Sequence, residues 1–297
     1  MSDQQRQTQE YFRNAAAEWQ NKSVQAEKGR GVIADRKQAV LTTIEQMDSP
    51  KSLLDVGCGS GQLVIASAGL GLESIGIDFA EEMIQQCETN AREAGIEAKF
   101  ICKSFFDMPV EENRYDIISA QGFIEYISLE ELHEFFVRAH TMLKPGGALL
   151  VGSRNRLLNA LSLNAFTEFE MEMGTINQLL AEAIVFNGME NQEALFDTLK
   201  SHERIDPQPD KKHPTTFVTV DFRYQFTPAD LICRTRKLGF TPHTIHAVNF
   251  HPMSPSLRGT FPRLHDEVAT FMSQYAHLDP RLVPSSSTFV LDLRKNA

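Results

Sequence analysis

Apolar positions along this chain follow two periods, and the switching between them predicts the fold. Short, nearly continuous apolar runs begin at Leu53, Ser74, Ala98, Tyr115 and Gly147, at steps of 21, 24, 17 and 32 residues. Between them, apolar residues recur every three to four positions, the spacing of a helix with one buried face. Strand and helix in alternation at this spacing imply a parallel sheet joined by right-handed crossovers. The helix after Asp78 turns Met83 and Ile84 inward and ends near Gly95, a residue suited to a C-terminal cap. Ser128 with Glu131 reads as a capping box, and Leu132, Phe135, Phe136, Ala139 and Leu143 form the stripe of the helix it opens, which is expected to end at Lys144-Pro145-Gly146-Gly147.

The ends depart from this rhythm. Residues 1–20 read as a polar helix with Tyr11, Phe12, Ala15, Ala16 and Trp19 at helical spacing. A second helix is expected from about Ile33 to Gln46, with Val40, Leu41 and Ile44 buried. After the fifth strand the order breaks: apolar, Met-bearing stretches (157–173, 176–186) precede a polar one (201–214). Regular structure resumes at Thr227-Pro228-Ala229-Asp230, a helix start with proline in its first turn. Thr241 to His251 reads as a sixth strand and Ser287 to Leu293 as the last, with a helix from Leu264 to Tyr275 between them. The expected organisation is an N-terminal helical cap (1–46), a discontinuous main domain (47–155 and 224–297) and a helical insertion (156–223). Such an insertion suits a lid that excludes water. It equally suits the interface of a homodimer, since Leu, Met and Phe stripes serve both.

Composition narrows the function. At 297 residues, 42% hydrophobic and 23% charged, the chain is of ordinary globular composition. The net charge of −10 argues against nucleic acid or an anionic membrane as partner. No apolar run is long enough to span a bilayer, and the polar start lacks the core of a secretion signal. Four dispersed cysteines (58, 87, 102 and 233) suit reduced thiols, and with them a cytoplasmic location. They form no C-x-x-C pair, and no metal site is expected.

The chemistry concentrates in Leu53-Leu54-Asp55-Val56-Gly57-Cys58-Gly59-Ser60-Gly61-Gln62-Leu63. A strand that turns through glycines into a helix lets a ligand lie on the backbone and aims free N–H groups at it. Nineteen residues after Gly59 the second strand ends in Asp78, placed to accept hydrogen bonds from ribose hydroxyls. Two nucleoside cofactors fit that outline. The dinucleotide fingerprint requires glycine at the sixth place, where this chain has Gln62. Asp55 would repel a pyrophosphate and attract an ammonium or sulfonium. S-adenosylmethionine (SAM) carries both cations and no phosphate.

Asp55 through Gly61 resembles the first motif of the class I SAM-dependent methyltransferases, (D/E)-x-G-x-G-x-G, at every place. Leu143-Lys144-Pro145-Gly146-Gly147 before an apolar strand is similar to a second family hallmark. The resemblance implies an α/β, Rossmann-like, doubly wound and mostly parallel seven-stranded sheet, its last strand antiparallel, with helical cap and lid insertions. It also implies SAM as cofactor, held by Asp55, Gly57, Cys58, Gly59, Gly61, Asp78, Phe79 and Met83. Ser104 and Phe105 would meet the adenine, Ser104 standing where the family often has aspartate and Asp107 offering a substitute. Gln121 and Gly122 follow the fourth strand; the (D/N/S)-P-P-(Y/F) of base-methylating relatives is absent from Gln121–Tyr126, so a small-molecule acceptor is expected. Tyr11 or Phe12 would cover the cofactor, and Arg36 would reach its carboxylate. Tyr126 and His251 are the catalytic candidates, His251 as general base beside a proline turn. Methylation at a hydroxyl or carboxylate oxygen is expected. Methylation at nitrogen or carbon, a nicotinamide-dependent dehydrogenase and a non-catalytic SAM-binding protein are the alternatives.

Overall fold

A computed structural model describes residues 4–14, 31–209, 223–275 and 279–296. Trp19, Ala15, Ala16 and most of the polar stretch after 209 lie outside the described residues. Seven strands form one sheet: β1 (Ser52–Val56), β2 (Glu73–Asp78), β3 (Lys99–Cys102), β4 (Tyr115–Gln121), β5 (Leu143–Arg154), β6 (Phe240–Phe250) and β7 (Ser286–Lys295). Their order is β3-β2-β1-β4-β5-β7-β6. β1 to β5 pair in parallel, and β7 runs antiparallel to both neighbours, β5 and β6. The chain order reverses at β1, between β2 and β4, which opens a crevice at the carboxyl ends of those strands.

Residues 4–14 are helical (α1), and α2 (Val32–Gln46), α3 (Gln62–Gly69), α4 (Glu81–Ala94) and α5 (Leu129–Met142) follow. Because strand side chains alternate between faces, Leu53 and Ile117 pack with Val40 and Ile44 of α2, whereas Leu54 and Ile118 face the larger core holding Phe135 and Phe136 of α5. α4 ends on Gly95 at φ +66°, and Ser128 caps α5 reciprocally with Glu131, both as the sequence implies. The end of α5 differs. The helix stops at Met142, and Leu143 already pairs with Tyr115 as the first residue of β5. Lys144 pairs with Asp116 at 2.8 Å, and Lys144 to Gly147 bulge between the paired residues Leu143 and Ala148, Gly146 taking a φ of +75°.

The segment after β5 folds as a 3₁₀ turn (Arg156–Ala160), then α6 (Ala165–Glu172), α7 (Ile176–Asn187) and α8 (Gln192–Thr198); α9 is Pro228–Arg236 and α10 is Pro262–Ser273. This insertion is anchored rather than detached. Leu179, Phe186, Leu195, Leu199 and Ile205 join the same core as α5 and α9. Arg156 and Glu170, 2% and 1% exposed, form a bidentate pair that Asn159 and Thr175 complete. A buried ion pair is retained only when its remaining polar atoms are satisfied, as these are.

Candidate functional site

At the carboxyl ends of β1, β2 and β4 lies a cavity of about 980 Å³. Its floor is the turn after β1. Gly57, Gly59 and Gly61 take φ of +69°, +55° and +81°, a region that residues with a Cβ rarely enter. The backbone N–H groups of Gly57 and Cys58 both donate to Ile77 O, at 2.8 and 3.1 Å, tying the turn to β2. A Cβ on Gly59 would meet nothing within 4 Å, so this backbone is bare toward the cavity. Gly61 is different and does not line the cavity. A Cβ there would stand 3.0 Å from both Cys87 Sγ and Phe100, so its bareness lets α3 pack against α4 and β3. Cys58 and Cys87 are free thiols 3.9 Å apart behind this turn.

Two acids frame the turn. Asp78 accepts from Gly59 N at 3.2 Å and Ala80 N at 3.0 Å, and burial raises its carboxyl to about 6. Asp55 is 4% exposed. Burial, partly offset by a hydrogen bond from Ser119 and reinforced by the nearby Asp78 charge, raises it to about 7. Its Oδ1 has no hydrogen-bond partner. An orphaned acceptor of this kind costs free energy unless a ligand satisfies it.

Arg36, from α2, crosses to the end of β4. Its Nη2 donates to Glu125 Oε1 at 3.1 Å, and Glu125 also accepts from Arg154 N at 2.8 Å and pairs with Arg154 Nε at 3.3 Å. Arg36 Nε and Gln121 Oε1 are two further buried polar atoms without partners. Close approach here depends on glycine. At Gly122, whose φ is +77°, a Cβ would stand 2.6 Å from Arg36 Nη1, and one at Gly152 would overlap Gln121 Oε1.

Phe79, Met83, Ser104, Phe105 and Phe106 form the cavity's apolar end. Ser104 is spent locally as the cap of the 3₁₀ turn Phe105–Asp107, accepting from Phe106 N at 3.4 Å. Asp107 is exposed and outside the lining, so it supplies no substitute contact. From α1, Phe12 lines the cavity together with Gln5 and Thr8, and Tyr11 does not. Tyr11 stands edge-on behind Phe12, with ring centroids 5.2 Å apart, because the two occupy successive positions around one helix. Phe12 in turn stacks edge-on against Tyr126 at 5.4 Å.

Both catalytic candidates line the cavity. Burial and the Glu125 charge push the Tyr126 phenol up to about 12, so it stays protonated and serves as a donor or a wall, not as a base. His251, just past β6, is 8% exposed. Burial, with His265 and Arg258 nearby, lowers it to about 4, leaving the imidazole neutral. Asn249, Gln225, Arg258, Asn159, Ser162, Asn164 and Phe166 complete this end of the cavity. The sequence singled out none of these seven, and nothing in their local spacing marks them. Tertiary folding alone brings the insertion and the last two strands to the mouth.

Residues 53–147 match the family described as a methyltransferase domain. Over those residues the chain is similar to a methyltransferase domain, and its strand order is that of the Rossmann-like methyltransferase fold. Around that domain, the ubiquinone biosynthesis O-methyltransferase of Nitrobacter winogradskyi is 36% identical over 104 residues, 35% of this chain and 39% of that protein. The match thus spans about two fifths of the length of the curated relatives. Two solved structures share the methyltransferase fold over nearly the whole chain. The magnesium protoporphyrin IX methyltransferase of Synechocystis PCC 6803 is 13% identical with a TM-score of 0.56, covering 99% of this chain and 100% of that one. The 1,6-didemethyltoxoflavin N1-methyltransferase of Burkholderia thailandensis is 14% identical with a TM-score of 0.55, covering 97% and 88%. Among the described residues, no helix is long and apolar enough to cross a membrane, and no cluster of His, Cys, Asp and Glu is arranged to hold a metal ion.

Proposed function

We propose that this chain is a SAM-dependent methyltransferase that methylates a hydroxyl oxygen of a small-molecule acceptor. One observation carries the cofactor reading. Asp55 Oδ1, Gln121 Oε1 and Arg36 Nε, the first two acceptors and the third a donor, are buried without partners on residues that line one cavity. That set complements an α-amino acid, whose ammonium needs acceptors and whose carboxylate needs a donor. Gly57, Cys58 and Gly59 would lie under the sulfur and ribose, Asp78 would accept from the ribose hydroxyls, and Phe79, Met83 and Phe105 would enclose the adenine. Gln121 and Gly122 would border the methionine moiety.

When bound, SAM supplies an electrophilic methyl: the acceptor oxygen forms a new O–C bond as the C–S bond breaks, and sulfur keeps the electron pair. The protein's share is positioning and exclusion of water. Alignment of this kind is worth up to ~7–11 kcal/mol of barrier. Phe12 of α1 and Phe166 of α6 both line the cavity, which supports reading residues 1–46 and 156–223 as cap and lid. His251, neutral and buried at the acceptor end, would take the hydroxyl proton. The curated relatives named as O-methyltransferases favour oxygen over nitrogen. A homodimer through the insertion is the further reading, supported by the exposed Met171, Leu180 and Ile184.

Calorimetric titration with SAM, S-adenosylhomocysteine and NAD in parallel tests the cofactor. Micromolar binding of the first two and none of NAD is expected; binding of NAD alone would overturn the reading. Labelled-methyl transfer to hydroxyl, carboxyl and amine acceptors, with product connectivity determined, then tests the oxygen assignment.

A further inference from the structure

His251 does not stand alone. Its Nδ1 is 3.1 Å from Nε2 of His265, on the first turn of α10, and His265 Nδ1 is 3.1 Å from Asp266 Oδ1. Both imidazoles are buried, whereas Asp266 is open to solvent. On its other side, His251 Nε2 is 3.4 Å from Asn249 Nδ2, whose second partner is Ser287 Oγ at 2.6 Å.

This arrangement determines where the protons sit. A carboxylate only accepts, so His265 Nδ1 carries the hydrogen and its Nε2 keeps a lone pair. That lone pair must be met by a donor, so His251 carries its hydrogen on Nδ1. His251 Nε2 is then unprotonated, and the amide of Asn249, which only donates through nitrogen, is the partner such an atom takes. Every group in the row is satisfied by one assignment of hydrogens, with the single base atom at the cavity end.

We propose that His265 and Asp266 are positioning residues that hold His251 as the Nδ1–H tautomer, so that Nε2 takes the proton of an acceptor hydroxyl once that hydroxyl displaces the long 3.4 Å contact from the Asn249 amide. The proposal rests on the methyltransferase reading above and goes beyond it, since it gives α10 a part in the chemistry. His251 Nε2 takes one proton from the hydroxyl, and the resulting imidazolium donates from Nδ1 to His265, whose own hydrogen bond to Asp266 brings a negative charge to the far end. The charged and titratable groups facing His251 are His265 and Arg258; the hydrogen bond from His265, and then Arg258 paired at 3.1 Å, hold the Asp266 carboxyl below its ordinary range. Transfer of a methyl from a sulfonium removes a positive charge from the cavity, so a proton can settle on His251 without raising the net charge.

Long-range proton–nitrogen NMR of the full-length, ¹⁵N-labelled protein reads the tautomer directly, with no acceptor present. Wild type is expected to show His251 protonated at Nδ1. His265→Phe should shift it toward a mixture of tautomers, and His265→Gln, whose side-chain oxygen still accepts, should restore the Nδ1–H form. Asp266→Ala, at an exposed position that does not threaten folding, should broaden the same signals. With SAM and catechol as probe acceptor, His265→Phe should lower kcat about 10–100-fold, within what a general base contributes, with KM little changed. A wild-type His251 protonated on Nε2, or a tautomer indifferent to His265→Phe, would overturn the proposal. The expected tautomer shifts with no methylation of catechol or any other hydroxyl acceptor would uphold the row and sink the oxygen-methylation reading instead.

Discussion

Arg36 and Glu125 meet at 3.1 Å, 89 residues apart in sequence, and join the helix before the sheet to the loop after its fourth strand. Glu125 is almost fully buried and also holds Arg154, so one carboxylate bridges two guanidinium groups beside the expected methionine site. Removing it takes the carboxylate partner from Arg36, a partly buried cation. Glu125→Ala should lower stability by about 3–5 kcal/mol and abolish SAM binding, whereas Glu125→Gln keeps an acceptor and should lose less. Denaturant unfolding with and without SAM checks both.

Asp78→Ala should weaken SAM binding by ~1–3 kcal/mol, through lost hydrogen bonds to a charged group, without altering the fold. Calorimetry on the variant reads this, and an unchanged affinity would remove Asp78 from the site.

Binding should depend on pH through Asp55. In the ligand-free protein its carboxyl titrates at about 7, above the ordinary 3.8, because burial disfavours the charge. An ammonium ligand prefers the carboxylate, so binding at lower pH must expel a proton. Affinity for SAM should therefore rise as pH increases toward 7 and level off above it. The same raised value means that Asp55 favours the ligand-free fold in acid and that this contribution fades as pH climbs from about 4 to about 7. Titrations in buffers of different ionisation enthalpy count the protons released; a pH-independent affinity would contradict this account.

Gly122→Ala combines a left-handed backbone with a Cβ 2.6 Å from Arg36 Nη1. Displacing that guanidinium should cost SAM affinity while leaving the rest of the sheet intact. Gly59→Ala meets no neighbouring atom within 4 Å, so any loss of binding there reports backbone strain and ligand approach rather than repacking. Comparing SAM affinities of the two variants with their melting temperatures separates the effects.

Much of the site was legible in the chain because it is local. Asp55, the three glycines and Asp78 sit in two consecutive strand–turn segments, where spacing along the backbone fixes spacing in space. The alternation of strand and helix made a parallel sheet equally legible, while its seven strands and antiparallel last strand were implied by the family resemblance. The sequence could not distinguish Gly61 from Gly59, because whether a bare backbone serves a ligand or a neighbouring helix depends on Cys87 and Phe100, which arrive from α4 and β3. Nor could it choose between Tyr11 and Phe12, adjacent residues whose orientation is set by the docking of α1. The start of β5 at Leu143 was hidden too, because Leu143 gains its strand partner only where Tyr115 of β4 lies beside it, ahead of the bulge that Pro145-Gly146-Gly147 form. His251 stood out only as one histidine beside a proline. Its neighbours His265 and Asp266, fourteen and fifteen residues on, became partners because α10 folds back over the end of β6. Local backbone chemistry thus determined the fold and the cofactor turn. The acceptor end, the unpartnered atoms and the row of imidazoles were decided by tertiary packing, which alone brings distant polar groups together and removes them from water.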